Sequence, residues 1–211
     1  MNLSFTDLLP LAAFAFVMSI TPGPNNLMLL NSGVRFGVRR SMPHVLGITV
    51  GFGGLIAVAF AGVAALVLLN PGVMTVLTIS CVTYLLWLAW QLLRPGRAVD
   101  APAAAGALQP MSFVGASLFQ FVNPKGWAMA VASVGITAQW PVEPALGLTW
   151  LLAIAMLVNL PCVLVWLIGG ALLRRLLGTH GVRRAFDFAM AALVIATALW
   201  MLLPLADTMR S

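Results

Sequence analysis

The sequence predicts an all-α membrane protein, with six transmembrane helices forming two inverted three-helix repeats and helices 1 and 4 broken. Three observations predict it. Hydrophobic residues make up 62% of the 211 and charged residues only 8%, whereas about a quarter of a soluble domain is charged. Six apolar segments are each long enough to cross ~30 Å of hydrocarbon at ~1.5 Å rise per residue. Two of them, at corresponding places in the two halves, carry a Pro/Gly interruption.

The composition leaves too little polar surface to cover a water-soluble sphere. The mean hydropathy of +1.04 agrees. The length suits a single membrane domain, 1–211, with nothing left for a soluble one. The net charge of +6 does not indicate nucleic acid as a partner. The Arg residues sit in short clusters between apolar runs, as membrane topology requires, and no basic stripe with interleaved aromatics occurs. The N-terminus has no Lys or Arg ahead of its apolar run and has Asp7 instead. It therefore does not read as a cleavable signal, which needs a basic leading region.

The first span runs from about Leu8 to Leu30 and is interrupted by Thr21-Pro22-Gly23-Pro24. The second covers roughly Met42 to Leu69 and carries Gly47, Gly51, Gly53 and Gly54. The third, Val73 to Leu93, has Tyr84, Trp87 and Trp90 at helical spacing, as packing or an interface belt. A linker of about 95–111, rich in Ala, Pro and Gly, joins repeat one (about 1–94) to repeat two (about 112–211). The fourth span, Phe113 to Ile136, is interrupted by Asn123-Pro124-Lys125-Gly126. The fifth covers Ala145 to Leu173 and holds Asn159 and Pro161, and the sixth covers Ala185 to Leu205. An odd number of spans per half turns the halves in opposite directions. Breaks at matching places in such halves are where transporters build their site.

Orientation follows from the loops. Arg35, Arg39 and Arg40 follow span one, Arg94 and Arg97 follow span three, and Arg174, Arg175, Arg183 and Arg184 follow span five. The turns at Asn70-Pro71 and near Glu143 carry no basic residue, and only Arg210 falls on that side. The positive-inside rule puts the Arg-rich loops in the cytoplasm and both termini in the periplasm of a bacterial inner membrane.

The chemistry should sit at the breaks. Pro22 and Pro24 remove two backbone donors, and Gly23 adds permissive geometry. The carbonyls and N–H groups this frees cannot face lipid, where each unsatisfied one costs several kcal/mol. The half-helix starting near Asn25 presents a positive dipole end that suits a carboxylate. Asn25 and Asn26 offer donors and acceptors to a zwitterion. The bland reading is a structural kink. At the second break, Asn123 and Pro124 precede Lys125, the only Lys in the chain. A Lys within a span costs ~2.5–3.5 kcal/mol on insertion scales and marks function unless it snorkels to an interface. Gly47 and Gly51 form a small-xxx-small pair that permits either close helix packing or a backbone surface along the substrate path. Asn159 is a further polar break, as site or kink. The candidate substrate-binding set is therefore Thr21, Pro22, Gly23, Pro24, Asn25, Asn26, Gly47, Gly51, Asn123, Pro124, Lys125 and Asn159.

All five acids, Asp7, Asp100, Glu143, Asp187 and Asp207, fall in loops or near span ends. That argues against metal-ion and dibasic substrates, which want acidic ligands. No metal site, cofactor or enzymatic activity is expected. The expected partners are an amino-acid substrate and membrane lipid, with room for a homo-oligomer.

At these residues the chain resembles the LysE/RhtB family of bacterial amino-acid exporters. The resemblance rests on Thr21-Pro22-Gly23-Pro24-Asn25-Asn26, Ser32-Gly33 followed by Gly37, the glycines of span two, Tyr84-Leu85 with Trp87 and Trp90, and Phe121 to Gly126. Asn25-Asn26 together with Phe119-Gln120-Phe121-Val122-Asn123 looks most like the cysteine/O-acetylserine exporter branch. The resemblance implies proton-driven export of small neutral amino acids or derivatives, of the cysteine, O-acetylserine, threonine or homoserine type. Many members have Asp where this chain has Asn25, and an acidic or amide residue where it has Phe52. Both departures remove charge from the expected site and leave no proton carrier identified. Two other classes compete. A membrane thiol-disulfide carrier of related shape needs Cys81 and Cys162 to meet. A channel needs a ring-forming filter motif, which the sequence lacks.

Overall fold

The computed structural model describes residues 3–63, 70–93, 109–138, 140–176 and 180–208. Most of the expected linker, with Arg94, Arg97 and Asp100, lies outside the described residues. So do the end of the second span (64–69) and Arg210. Seven α-helices follow one another: α1 (Phe5–Ile20), α2 (Pro24–Val58), α3 (Pro71–Leu93), α4 (Phe113–Val122), α5 (Pro124–Thr137), α6 (Pro144–Leu176) and α7 (His180–Thr208). A short π-helical stretch, Ala59–Val63, extends α2. The described residues include no strand.

Among the described residues, four stretches are long and apolar enough to cross a membrane: Pro24–Val63, Gly72–Leu93, Pro144–Arg174 and Arg184–Leu203. Helices α1 and α4 are apolar but only 16 and 10 residues long, short of the ~20 a span needs. Each stops at a break and is followed by a helix that opens on proline, Pro24 for α2 and Pro124 for α5. Proline suits a first helical turn, because its missing N–H would have had no partner there.

Helix α2 is two helical arms joined at a kink. Gly37 has φ 74 and ψ 177, a region that only glycine enters without strain. Along a straight helix Ser32 and His44 would be roughly 18 Å apart at 1.5 Å per residue. Instead Ser32 Oγ lies 3.1 Å from His44 Nδ1, and Ser41 Oγ donates to the Ser32 carbonyl at 3.3 Å. The chain turns back at Gly37, leaving a first arm (24–36) beside a second (38–58). The stretch with Arg35, Arg39 and Arg40, expected as a loop, is helical on both sides of that one residue. A single positive-φ glycine makes the reversal.

The first arm of α2 lies against α6 with backbone touching backbone. The space beyond the Gly33 Cα is filled by the Leu167 carbonyl and the Ala171 amide, and that beyond Gly170 by the Leu30 carbonyl. Small residues allow such an approach where lipid supplies no hydrophobic drive between helices. Leu27, Met28, Leu85, Met190 and Val194 bury a core between α2, α3 and α7, while Leu11, Phe52, Trp127 and Leu151 bury another between α1, α2, α5 and α6. The outer faces stay apolar, with Leu118, Leu157 and Trp200 each more than 60% exposed, as a lipid-facing surface requires.

Candidate functional site: the paired helix breaks

The end of α1 releases carbonyls that have no helical partner, and each finds a donor. Thr21 N and Thr21 Oγ1 turn back to the carbonyls of Val17 and Met18 at 3.2 and 3.0 Å. Asn26 Nδ2 donates to the Ser19 carbonyl at 2.8 Å and to that of Thr21 at 2.7 Å. Trp166 Nε1, on α6, donates to the Ile20 carbonyl at 3.0 Å. Lys125 Nζ donates to the Thr21 carbonyl and Oγ1, both at 3.0 Å, and to the Pro22 carbonyl at 3.2 Å. An ammonium has three N–H groups, and three oxygens meet it here. A cation also suits the negative end of the α1 dipole. The side chain reaches across Gly23, where a Cβ would sit 2.9 Å from Lys125 Cδ. The lysine of the second break thus closes the first.

The second break looks after itself. Asn123 caps α5, its Oδ1 accepting from Lys125 N at 3.1 Å. Trp127 Nε1 donates to the Phe121 carbonyl at 2.9 Å. By contrast, no side chain caps the start of α2, where Gly23 is the N-cap. The two half-helix N-termini are therefore unequal, and that of α2 is the one left open to a ligand.

That end faces a small cavity, about 30 Å³ in volume, whose polar lining is Ser19, Asn25, Asn26, Gln120, Asn123, Asn159 and Lys125. Its apolar side includes Phe52 and Met129. About 30 Å³ is room for one or two waters and not for an amino acid. Asn25 and Gln120 bind reciprocally, Nδ2 to Oε1 at 2.8 Å and Nε2 to Oδ1 at 3.3 Å. Asn159 Nδ2 donates to Ser19 Oγ at 3.1 Å. Asn159 Oδ1 is buried without a partner, an unsatisfied acceptor on the cavity wall. Donors at the α2 N-terminus and an acceptor without a partner on another lining residue suit the two charges of a zwitterion.

The LysE type translocator model matches residues 16–204. The chain belongs to that family. Among relatives of this LysE type translocator, the cysteine/O-acetylserine efflux protein of Klebsiella pneumoniae subsp. pneumoniae is 31% identical over 194 residues, 88% of this chain and 91% of the relative. The protein of the same name from Escherichia coli strain K12 is 26% identical over 193 residues, 88% and 92% of the two chains. No solved structure matches significantly. A translocator, not an enzyme, is what the family makes of this multi-pass helical chain.

Within the translocator, Gly23, Pro24, Asn25, Asn26, Asn123, Lys125 and Asn159 line the cavity. Thr21 and Pro22 stand behind it, as acceptors for Lys125. Pro124 is the first residue of α5 and is absent from the lining. Gly47 and Gly51 are elsewhere, against Phe113, Ala116 and Ser117 of α4, where they permit close packing. Gln120 was not among the expected site residues, although it is 1% exposed and pairs with Asn25 across 95 positions. An amide inside the apolar run Phe113–Val122, one turn before the break, was the available signal. Ser19 was missed too, and a lone serine offers no such signal. Cys81 and Cys162 are free and buried, and neither lines the cavity.

Proposed function

We propose that this translocator exports small neutral amino acids or their derivatives, of the cysteine, O-acetylserine, threonine or homoserine type, from the bacterial cytoplasm. One observation carries the reading: the cavity between the breaks is lined by amides and has no acidic residue. A lysine or arginine substrate would bring a side-chain cation whose desolvation costs several kcal/mol unless a carboxylate meets it. The only charge already on the wall, Lys125, would repel it. A neutral amino acid needs only its own two charges met. Its carboxylate goes to the open α2 N-terminus, and its ammonium goes to Asn159 Oδ1 and neighbouring amide oxygens. The relatives' names support the same substrate class.

In this reading the chain crosses the inner membrane six times. α1 with the first arm of α2 makes span one and the second arm makes span two. α3 is span three, α4 with α5 span four, and α6 and α7 spans five and six. Repeat one is about 1–94 and repeat two, inverted, about 112–211. Both termini are periplasmic, the Arg-bearing turns are cytoplasmic, and the proton gradient supplies the energy.

Uptake into inside-out vesicles under an imposed pH gradient tests the selectivity. Cysteine and O-acetylserine should accumulate, and labelled lysine or arginine should stay near the level of empty vesicles. Efficient, saturable lysine uptake by the unmodified chain would overturn the charge argument.

A further inference from the structure

We propose that the translocator has a second substrate site, a cytoplasmic-side antechamber that takes the same zwitterion before it reaches the closed cavity; this rests on the amino-acid export reading above. A larger cavity, about 240 Å³, lies farther along the first arm of α2. Its walls include Asn31, Ser32 and Arg35 of that arm, His44 of the second arm, and Tyr84 and Trp87 of α3. A cavity of about 150 Å³ is enough for benzene, with six heavy atoms, so this one accommodates a small amino acid and the first does not.

The chemistry suits an amino acid with an uncharged side chain. Arg35 is only 9% exposed. Its Nε donates to Asn31 Oδ1 at 2.9 Å and its Nη2 to Asp187 Oδ1 at 2.9 Å. Those bonds use two of the five N–H groups of the guanidinium and hold its plane in place, and a fork held in this way matches a carboxylate. Asp187 keeps the arginine oriented and balances its charge while the cavity is empty. The rings of Tyr84 and Trp87, 5.5 Å apart, offer faces to an ammonium and apolar area to a short side chain. His44 also lines the cavity, and its Nε2 is buried without a partner.

The two cavities are in series. Asn25 lines the first and Arg35 the second, and ten residues of one helical arm separate them, roughly 15 Å at 1.5 Å per residue. Between them Met28 and Phe119 are 4% and 5% exposed. Tyr84 of the antechamber packs on Phe119 with ring centroids 5.1 Å apart, and Phe119 adjoins Gln120 of the closed cavity. Met28 and Phe119 form the apolar partition a substrate must pass.

Cysteine-labelling protection tests the site. Gln109→Cys puts a thiol at the exposed rim of the antechamber, and the native thiols of Cys81 and Cys162 are buried. O-acetyl-L-serine should slow maleimide labelling of that thiol. Adding Arg35→Lys keeps the charge and loses the fork, and should raise the half-protecting concentration about tenfold. Adding Asn159→Ala should abolish transport and leave protection unchanged, since it damages only the closed cavity. If protection disappears with Asn159→Ala, there is one site and the proposal fails. If saturating O-acetylserine gives no protection while transport persists, the antechamber fails and the export reading stands. If neither transport nor protection occurs, hydrogen exchange of the unmodified chain over 84–92 and 109–112 decides. Slowing by O-acetylserine supports the site, and no change overturns it. An unmodified chain that also transports no amino acid removes the export reading itself.

Discussion

Lys125→Met should lower the initial rate of amino-acid transport by about tenfold or more, the kinetic equivalent of at least ~1.4 kcal/mol, while the protein still inserts and melts cooperatively. The geometry gives both halves of the expectation. Methionine has nearly the length of lysine but no donor, so the Pro22 carbonyl loses its partner while the Thr21 carbonyl keeps Asn26. The orphaned Pro22 carbonyl is exposed, so water can replace the ammonium there, and the loss is too little to unfold a bundle held by backbone-close helices. It is enough to loosen the end of α1 and with it the wall of the cavity, because Lys125 joins residues 104 positions apart. Lys125→Arg keeps the charge without the compact ammonium that fits three converging oxygens, and should fall between. Transport near the wild-type rate in Lys125→Met, with folded protein confirmed by its melting curve, would mean that the hold on α1 does not matter to function.

The largest effect on stability is expected at two adjacent glycines with opposite outcomes. Gly169→Ala adds a methyl whose nearest neighbour is Leu30 Cδ1 at 3.9 Å, ordinary contact with a side chain that can move. Alanine is about 1 kcal/mol better than glycine in a helix, so this variant should melt at or slightly above the wild-type temperature. Gly170→Ala drives its methyl into the Leu30 carbonyl, with the Leu30 Cα only 3.1 Å away. Backbone cannot rotate aside, so α2 and α6 must separate along their whole contact. Overpacking of this kind costs ~1–3 kcal/mol or more, and melting in detergent should fall by about 5 °C or more. Equal melting temperatures for the two variants would show that the helices do not approach as described.

The two breaks were legible because proline and glycine act locally. Pro22, Gly23 and Pro24 remove donors and permit the bend whatever surrounds them, and Asn123-Pro124 does the same. Four of the six expected apolar spans are long apolar stretches among the described residues, legible for a similar reason, since hydropathy depends on composition more than on partners. The destination of a side chain was not. Nothing near Lys125 in sequence says that its ammonium goes to Thr21 and Pro22, and nothing near Asn25 says that it pairs with Gln120. Gly47 and Gly51 were ambiguous for a physical reason. Packing and a substrate path both ask for a missing Cβ, and the close approach of α4 to them depends on residues far away in sequence. The sharp reversal at Gly37 was hidden among arginines that resemble an ordinary cytoplasmic loop.

The small volume between the breaks bears on permeability. Protons cross membranes along continuous files of water, and a space that admits one or two molecules is too small to hold a long one. In this conformation the cavity between the breaks therefore offers protons no continuous path of its own.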